Sequence, residues 1–135
     1  MKSSEKAFNF LKKQGYNPEW DNETSNIVFV FNGYTYLFVN NDSMDEQGFF
    51  VSQIAMPNIY GVDNKNRIKV LEACNNITFN TALLKAAVYD EETESTVWLV
   101  FENAFGDETT FTKSFTDTME LMENTYNQFY ALMNE

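Results

Sequence analysis

The sequence predicts a small α+β domain in which helices and strands follow the order α-β-β-β-α-β-β-α and a twisted antiparallel sheet packs against the helices. Two observations predict this class: apolar residues recur at helical spacing in three segments, and β-rich runs form two hairpins between those segments. At 135 residues and 44% hydrophobic content, the chain is long enough for one well-buried core and too short for two. We therefore expect one domain over residues 1–135.

The first helix is bounded by residues that favour helix ends. Ser3 or Ser4 is a suitable N-cap, and Gly15 is a suitable stop. The polar segment that follows reads as an approach loop, with a short edge strand around Trp20.

The first hairpin carries the strongest local signal in the chain. Residues 27–31 and 34–40 are rich in β-formers, and Asn32-Gly33 separates them. This dipeptide suits the positive φ values of a type I′ turn. A third strand should follow over Phe49–Ala55 and end at Pro57.

The second half of the chain repeats the alternation of helix and strand. The second helix should begin near Asp63 or Asn64. The second hairpin should pair residues 83–89 with 96–102, and the last helix should follow Gly106. The second helix is expected to run through Ile68, Leu71, Cys74 and Ile77. The last helix is expected to be a core element, with a dimer seam or a docking helix for another chain as the alternatives. It carries one long apolar stripe: Phe111, Phe115, Met119, Met122, Tyr126, Phe129 and Met133.

Both faces of the first hairpin are apolar. The predicted turn places the cross-strand pairs Phe31–Tyr34, Phe29–Tyr36 and Ile27–Phe38 on one face. The other face receives Val28, Val30, Thr35, Leu37 and Val39. A sheet with one wet face should alternate polar and apolar residues, so two apolar faces imply cover on both.

We expect the aliphatic face to pack against the helices, which leaves aromatic side chains for a partner. The alternative is that the helices cover the rings and the rings are ordinary core. The candidate interaction face consists of Phe29, Phe31, Tyr34, Tyr36, Phe38, Tyr89 and Trp98.

The residue types argue against the common reaction centres. The chain has no histidine, so Cys74 lacks the usual base and is expected to be a buried thiol. The acids of residues 40–46 resemble a calcium loop in composition but not in ligand spacing. We predict no catalytic residue, no metal and no cofactor, although a composite site built from distant carboxylates stays open.

The charge distribution limits the possible partners. The net charge is −11, and residues 86–135 hold 11 acids against Lys113 alone. Such a field disfavours nucleic acid and anionic membranes and makes a basic protein segment the easier partner. The preferred alternative is that the acids simply keep a small cytoplasmic protein soluble. The N-terminus shows no secretory signal pattern, so we expect a cytoplasmic protein.

The order of elements, together with residues 70–80 (VLEACNNITFN) before the second hairpin, resembles the YbjN-like bacterial proteins. Their fold is similar to that of the type III secretion (Tir) chaperones. The resemblance implies a twisted antiparallel sheet against helices, frequent dimerisation and no catalytic residues. That family is described as candidate regulators of sensory transduction.

Three functions follow from these observations. The first is a non-enzymatic protein-interaction module, a self-associating regulatory protein that forms a homodimer or binds another protein. The second is a chaperone that binds an apolar or basic segment of a client protein. The third is an enzyme with a carboxylate-based site, for which the sequence selects no residues.

Overall fold

The computed structural model describes residues 1–105 and 107–135, and Gly106, which we expected to precede the last helix, lies outside them. The described chain contains three α-helices, six strands and one 3₁₀ helix. The α-helices are α1 (Ser3–Lys13), α2 (Arg67–Asn80) and α3 (Glu108–Met133), and the 3₁₀ helix is Asp42–Gln47. The strands are β1 (Glu19–Trp20), β2 (Ile27–Phe31), β3 (Tyr34–Phe38), β4 (Phe50–Val62), β5 (Leu84–Asp90) and β6 (Ser95–Phe105).

The six strands form one antiparallel sheet in the order β1-β2-β3-β4-β6-β5. The buried side chains of all three α-helices belong to one hydrophobic core with the residues of a single sheet face. We call this the inner face and the opposite side the outer face. The predicted α+β class with a sheet against helices is confirmed.

The predicted turn of the first hairpin is confirmed. Asn32 and Gly33 have φ values of 49° and 83°, as a type I′ turn requires. The register pairs Phe31 with Tyr34 and continues to Ile27 and Phe38. The two-residue connection therefore decides which side chains of β2 and β3 share a face.

The prediction that Pro57 ends the third strand was wrong. β4 runs on to Val62 because the ladder to β6 shifts between Met56 and Tyr60. A proline lacks the N–H that a regular ladder needs, but a bulge leaves its residues outside the regular pairing. Pro57 lies within this irregular stretch and is compatible with a continuing strand.

The predicted serine cap of α1 was also wrong. The N-cap position is Lys2, which makes no capping hydrogen bond through its side chain. Ser3 and Ser4 are the first helical residues, and their backbone N–H groups donate to Asp45 and Asp42, each over 2.9 Å. Both hydroxyls donate to the same two carboxylates. The first turn of α1 is thus capped by the 3₁₀ helix, about forty residues away, through interactions that local patterns do not report.

The second helix begins later than predicted. Residues 63–66 form a turn in which the Asp63 carboxylate accepts from the backbone N–H groups of Lys65 (2.8 Å) and Asn66 (2.9 Å). α2 then lies along the free edge of β5, where the Thr78 hydroxyl accepts from the Ala86 N–H (3.0 Å) and donates to the Ala86 carbonyl (3.3 Å). The helix thereby satisfies backbone groups of an edge strand.

The stripe predicted for the last helix is confirmed as core. α3 starts at the N-cap Asp107, whose carboxylate accepts from the Thr110 N–H over 3.0 Å. Tyr126 of the stripe is partly buried. The other six members are buried: Phe111, Phe115, Met119, Met122, Phe129 and Met133.

Candidate protein-interaction surface

The expected orientation of the first hairpin was wrong. Phe29, Tyr36 and Phe38 of the predicted interaction face are buried on the inner face. The Phe29 and Tyr36 rings stack at 5.5 Å between centroids, and the Phe38 ring meets Phe111 of α3 edge-on at 5.6 Å. These rings fill the layer between sheet and helices, so they are not available to a partner.

Phe31 and Tyr34 also belong to the inner face, at its margin. Phe31 packs edge-on against Tyr16 at 5.2 Å, and Tyr34 lies 5.1 Å from Tyr126 between ring centroids. Both are partly buried against the core. The rings of the first hairpin are therefore ordinary core residues, as the alternative interpretation predicts.

Tyr89 and Trp98 are the two members of the predicted face that lie on the outer face. Trp98 is paired with Ala87, and Tyr89 follows on the same side of β5. Their rings are 5.3 Å apart, and Tyr89 is 52% exposed. Tyr89 is thus the one exposed member of the predicted face, and Trp98 is partly buried, as Phe31 and Tyr34 are.

An aliphatic row crosses the outer face. The register joins Val28 to Leu37, Leu37 to Ala55 and Ala55 to Val100, across four neighbouring strands. Val30 adds a side chain that is 48% exposed, whereas Val28, Leu37 and Val100 are partly buried and Ala55 is 1% exposed. We call these five residues the outer apolar row. The sequence predicts an apolar sheet face that the helices leave uncovered. The structure has such a face, but it is the aliphatic face, which we expected the helices to cover.

Charged residues flank the outer apolar row at both ends. The register continues from Val28 to Glu19 on β1 and from Val100 to Lys85 on β5. Lys85 pairs with Glu102 at 2.5 Å, and this interaction, a hydrogen bond as well as an ion pair, lowers the pKa of the glutamate. Gln53 donates a further hydrogen bond to Glu102 over 3.0 Å. The row is therefore an apolar band with polar residues at both ends. Protein interfaces have a similar arrangement, with an apolar centre and a polar rim.

A shallow depression of about 270 Å³ lies at one end of the row. It joins the outer face to the end of α2, because Val100, Lys85 and Glu102 line it together with Thr78 and Leu83. Leu83 is exposed. The depression has the size of one or two large side chains and is open to solvent.

The exposed side of α2 is a second apolar surface. Ile68 and Leu71, which the sequence places on the second helix together with Cys74 and Ile77, are 75% and 46% exposed. The core side of the helix is made by Val70, Ala73, Cys74 and Ile77. The helix is apolar on two sides, so spacing alone could not tell which side faces the core.

The shifted pKa values of three ionisable groups follow from their surroundings in the fold. Burial raises the pKa of the Cys74 thiol to about 11, which disfavours the thiolate. The Arg67 hydrogen bonds lower the pKa of Asp90, at 3.3 and 3.0 Å between nitrogen and oxygen. Burial raises the pKa of Asp45, but the hydrogen bonds from Ser3 together with the charges of Lys6 and Lys2 lower it by more, so that the net shift is downward.

The predicted calcium-like segment has another use in the structure. Asp42 and Asp45 hold the first turn of α1, as described above. Among residues 1–105 and 107–135, no group of three histidine, cysteine, aspartate or glutamate side chains could hold a metal ion. Within the same residues, no helix is both long enough and apolar enough to cross a bilayer.

The fold defines an α+β class in which three helices cover one face of a six-stranded antiparallel sheet. No family model matches the sequence, and no curated protein matches it either. Among solved structures, the chain is similar to YbjN from E. coli, which is described as a candidate transcription regulator. The TM-score is 0.66 at 8% sequence identity, over 94% of this chain and 90% of that chain. The predicted YbjN-like fold is confirmed, and at this identity the similarity shows the fold alone.

Proposed function

We propose that this protein is a non-enzymatic regulatory module that acts by binding protein, with the outer apolar row and the Tyr89–Trp98 pair as its recognition surface. The proposal rests on one observation: the apolar side chains of Val28, Leu37 and Val100 lie on the sheet face opposite all three helices. The YbjN-like fold supports a regulatory role. Self-association and a cytoplasmic location are parts of the same proposal.

The physical argument concerns the composition of the outer face. A sheet with one solvated face normally carries polar side chains there, whereas this one carries valine and leucine on β2, β3 and β6, with the buried Ala55 on β4 between them. Contiguous apolar surface of this kind marks protein-binding sites on monomeric proteins. Tyr89 and Trp98 add the aromatic residues in which interface centres are enriched.

The negative charge of the chain favours a positively charged partner. The hairpin tip beside Tyr89 carries Glu91, Glu92 and Glu94, all exposed, within a chain of net charge −11. A partner segment with apolar residues flanked by lysine or arginine would bury the row and approach the acidic tip favourably. Nucleic acid and anionic membranes would be repelled by the same field.

Photo-crosslinking tests the proposal on the intact protein. A benzoylphenylalanine placed at Val30 or at Tyr89 should form an adduct with the same partner in cells, and one placed at exposed Glu120 of α3 should not. The purified partner should then bind wild type at least about tenfold more tightly than Val100→Asp, because one charge is buried in the interface. Equal binding by the two proteins would refute the outer face as the site.

The chaperone function is the second candidate, and the depression beside Val100 favours it. Its lining combines an apolar floor with the Lys85–Glu102 pair, which suits one apolar side chain of an extended client segment. A chaperone would bind its client only in an unfolded or extended state and suppress aggregation of that client. A regulator would bind a folded partner, so the folded state of the crosslinked protein separates the two functions.

A further inference from the structure

We propose that the cavity between β3 and the irregular stretch of β4 binds one arginine side chain of a protein partner. The inference rests on the proposed function and names one residue of the segment that the outer apolar row would bind. The cavity is a different surface from the row, so the two can be tested separately.

The cavity lies where β3 and β4 separate. Their pairing ends at Leu37 and Ala55, and β4 shifts its register against β6 just beyond this point. The cavity has a volume of about 220 Å³. This is less than the roughly 300–1,000 Å³ of small-molecule sites, so the cavity suits a single side chain. Its lining residues include Tyr34, Thr35, Pro57, Asn58 and Tyr126.

The lining offers hydrogen-bond acceptors and aromatic rings to a cation. Two residues beyond the last β3–β4 pair, the register brings Thr35 opposite Pro57, which has no N–H to donate to the Thr35 carbonyl. The rings of Tyr34 and Tyr126 lie 5.1 Å apart between centroids, tilted by 57°. None of the described lining residues is a lysine or an arginine. Since carbonyl oxygens and the faces of tyrosine rings both attract cations, the lining favours a positively charged group.

A buried carboxylate beside the cavity also favours a positive charge. Glu123 lies three residues before Tyr126, on the same side of α3. In the part of the chain that the structure describes, its Oε1 atom and the Tyr36 hydroxyl are buried without a hydrogen-bond partner. Burial raises the pKa of Tyr36, and the charge of Glu123 and the neighbouring Tyr34 raise it further, so these groups are close together. A buried carboxylate oxygen without a partner is unfavourable, and a cation between the two rings would stabilise it.

A guanidinium suits these groups better than an ammonium does. It is planar, so it can stack on a tyrosine ring while its N–H groups donate to carbonyl and carboxylate oxygens around its edge. The ammonium of lysine is compact and strongly hydrated, so it loses more hydration on entering a partly buried cavity. The net charge of −11 attracts both side chains. The arrangement of rings and acceptors therefore decides for arginine.

The cavity is continuous with the outer apolar row. Thr35 is exposed and is the cross-strand partner of Val30. A segment that covers Val30 can therefore place a neighbouring arginine in the cavity. The β4 side of the cavity is held against α3, because the Tyr130 hydroxyl donates to the Ile59 carbonyl over 2.5 Å. A site that is formed before the partner arrives binds with a smaller loss of conformational entropy.

Titration with blocked amino acids, followed by nuclear magnetic resonance, tests the cavity on the intact chain. The probe is N-acetyl-arginine methylamide, and the matched control is its citrulline counterpart, which has nearly the same shape and no charge. Arginine should shift the amide signals of Gly33 and Thr35 in a saturable way, with a dissociation constant of about 1–10 mM, because one side chain makes few contacts. The citrulline probe should bind at least about tenfold more weakly, and the lysine counterpart at least about threefold more weakly.

Variants of α3 locate the bound arginine. Glu123→Gln should raise the dissociation constant of the arginine probe at least about fivefold, whereas Glu120→Gln, the same change at an exposed position of the same helix, should alter it less than about twofold. Tyr126→Leu should also raise it at least about fivefold, and Tyr126→Phe, which keeps the ring, should raise it less. Glu123→Gln preserves the size of the side chain, so it tests the site even if Tyr126→Leu does not fold.

Three results would overturn the inference. The first is the lack of a saturable shift at Gly33 and Thr35, and the second is equal binding of the arginine probe and either of its counterparts. The third is an equal effect of Glu123→Gln and Glu120→Gln. Each of these results would leave the crosslinking at Val30 and Tyr89 as an independent test of the outer apolar row, because the titration uses no protein partner.

Discussion

Two neighbouring residues of β2 report on which face of the sheet is buried. Phe29 is 1% exposed, and its ring lies 5.5 Å from Tyr36 and 6.0 Å from Phe115 between centroids. The next residue, Val30, is 48% exposed on the outer face. We expect Phe29→Ala to lower the free energy of unfolding by about 3–5 kcal/mol, the range for phenylalanine truncation in a core. Val30→Ala should lower it by about 0.5 kcal/mol or less.

Urea unfolding followed by circular dichroism measures both changes, with the free energy extrapolated linearly to water. For a chain of this size, about 1 kcal/mol corresponds to roughly 4 °C in Tm, so Phe29→Ala should lower Tm by roughly 12–20 °C. Phe29→Leu provides a milder variant if the alanine variant does not fold. Equal losses at Phe29 and Val30, or a larger loss at Val30, would refute the assignment of the ring face to the core.

Asp42→Ala and Asp45→Ala should each lower the free energy of unfolding by about 1–2 kcal/mol at pH 7, since each removes a cap of α1. The folded-state pKa of Asp45 is lowered, so the carboxylate contributes to the free energy of unfolding above the ordinary carboxyl pKa, and this contribution is lost as pH falls through the folded-state pKa. Urea titrations of wild type and Asp45→Ala between pH 7 and pH 2 check this. The Cys74 thiol, with its pKa raised to about 11, should react with a thiol reagent at pH 8 far more slowly in the folded protein than in urea; equal rates would contradict its burial. Thr78→Val should lower the free energy of unfolding by about 1–2 kcal/mol and speed hydrogen exchange at the Ala86 amide, whereas unchanged exchange there would show that α2 does not protect the edge of β5.

The elements that depend on local rules could be predicted from the sequence. The Asn32-Gly33 turn needs only the φ preferences of two residues, and the hairpin register follows from it. The α3 stripe needs only helical periodicity, and its six deeply buried members include Phe111 and Met133 at its ends. These features carry their information within a few residues of the chain.

The predictions that were wrong concern features that depend on residues distant in sequence. Ser3 is held by Asp45, and nothing near Ser3 indicates that carboxylate. Pro57 is tolerated because β4 shifts its register against β6, a strand formed about forty residues later. The core side of α2 could not be chosen by spacing, since Ile68 and Cys74 both belong to apolar sides. Tertiary contacts decide each of these cases.

The orientation of the first hairpin follows from a comparison of areas. Three helices can cover one sheet face, so the face with the larger apolar area should be the one that is covered. An aromatic side chain buries about 150–250 Å², more than valine or threonine, and at about 25 cal/mol per Å² the advantage is roughly 1 kcal/mol for each position. The ring face has five aromatic positions on β2 and β3, including Phe29 and Tyr36, so the preference is roughly 5 kcal/mol, comparable to the stability of a whole domain. The smaller aliphatic side chains then remain outside. Because they are short, another sheet can approach the outer face to the roughly 10 Å separation of packed sheets, a geometry that agrees with the proposed protein-binding role of this face.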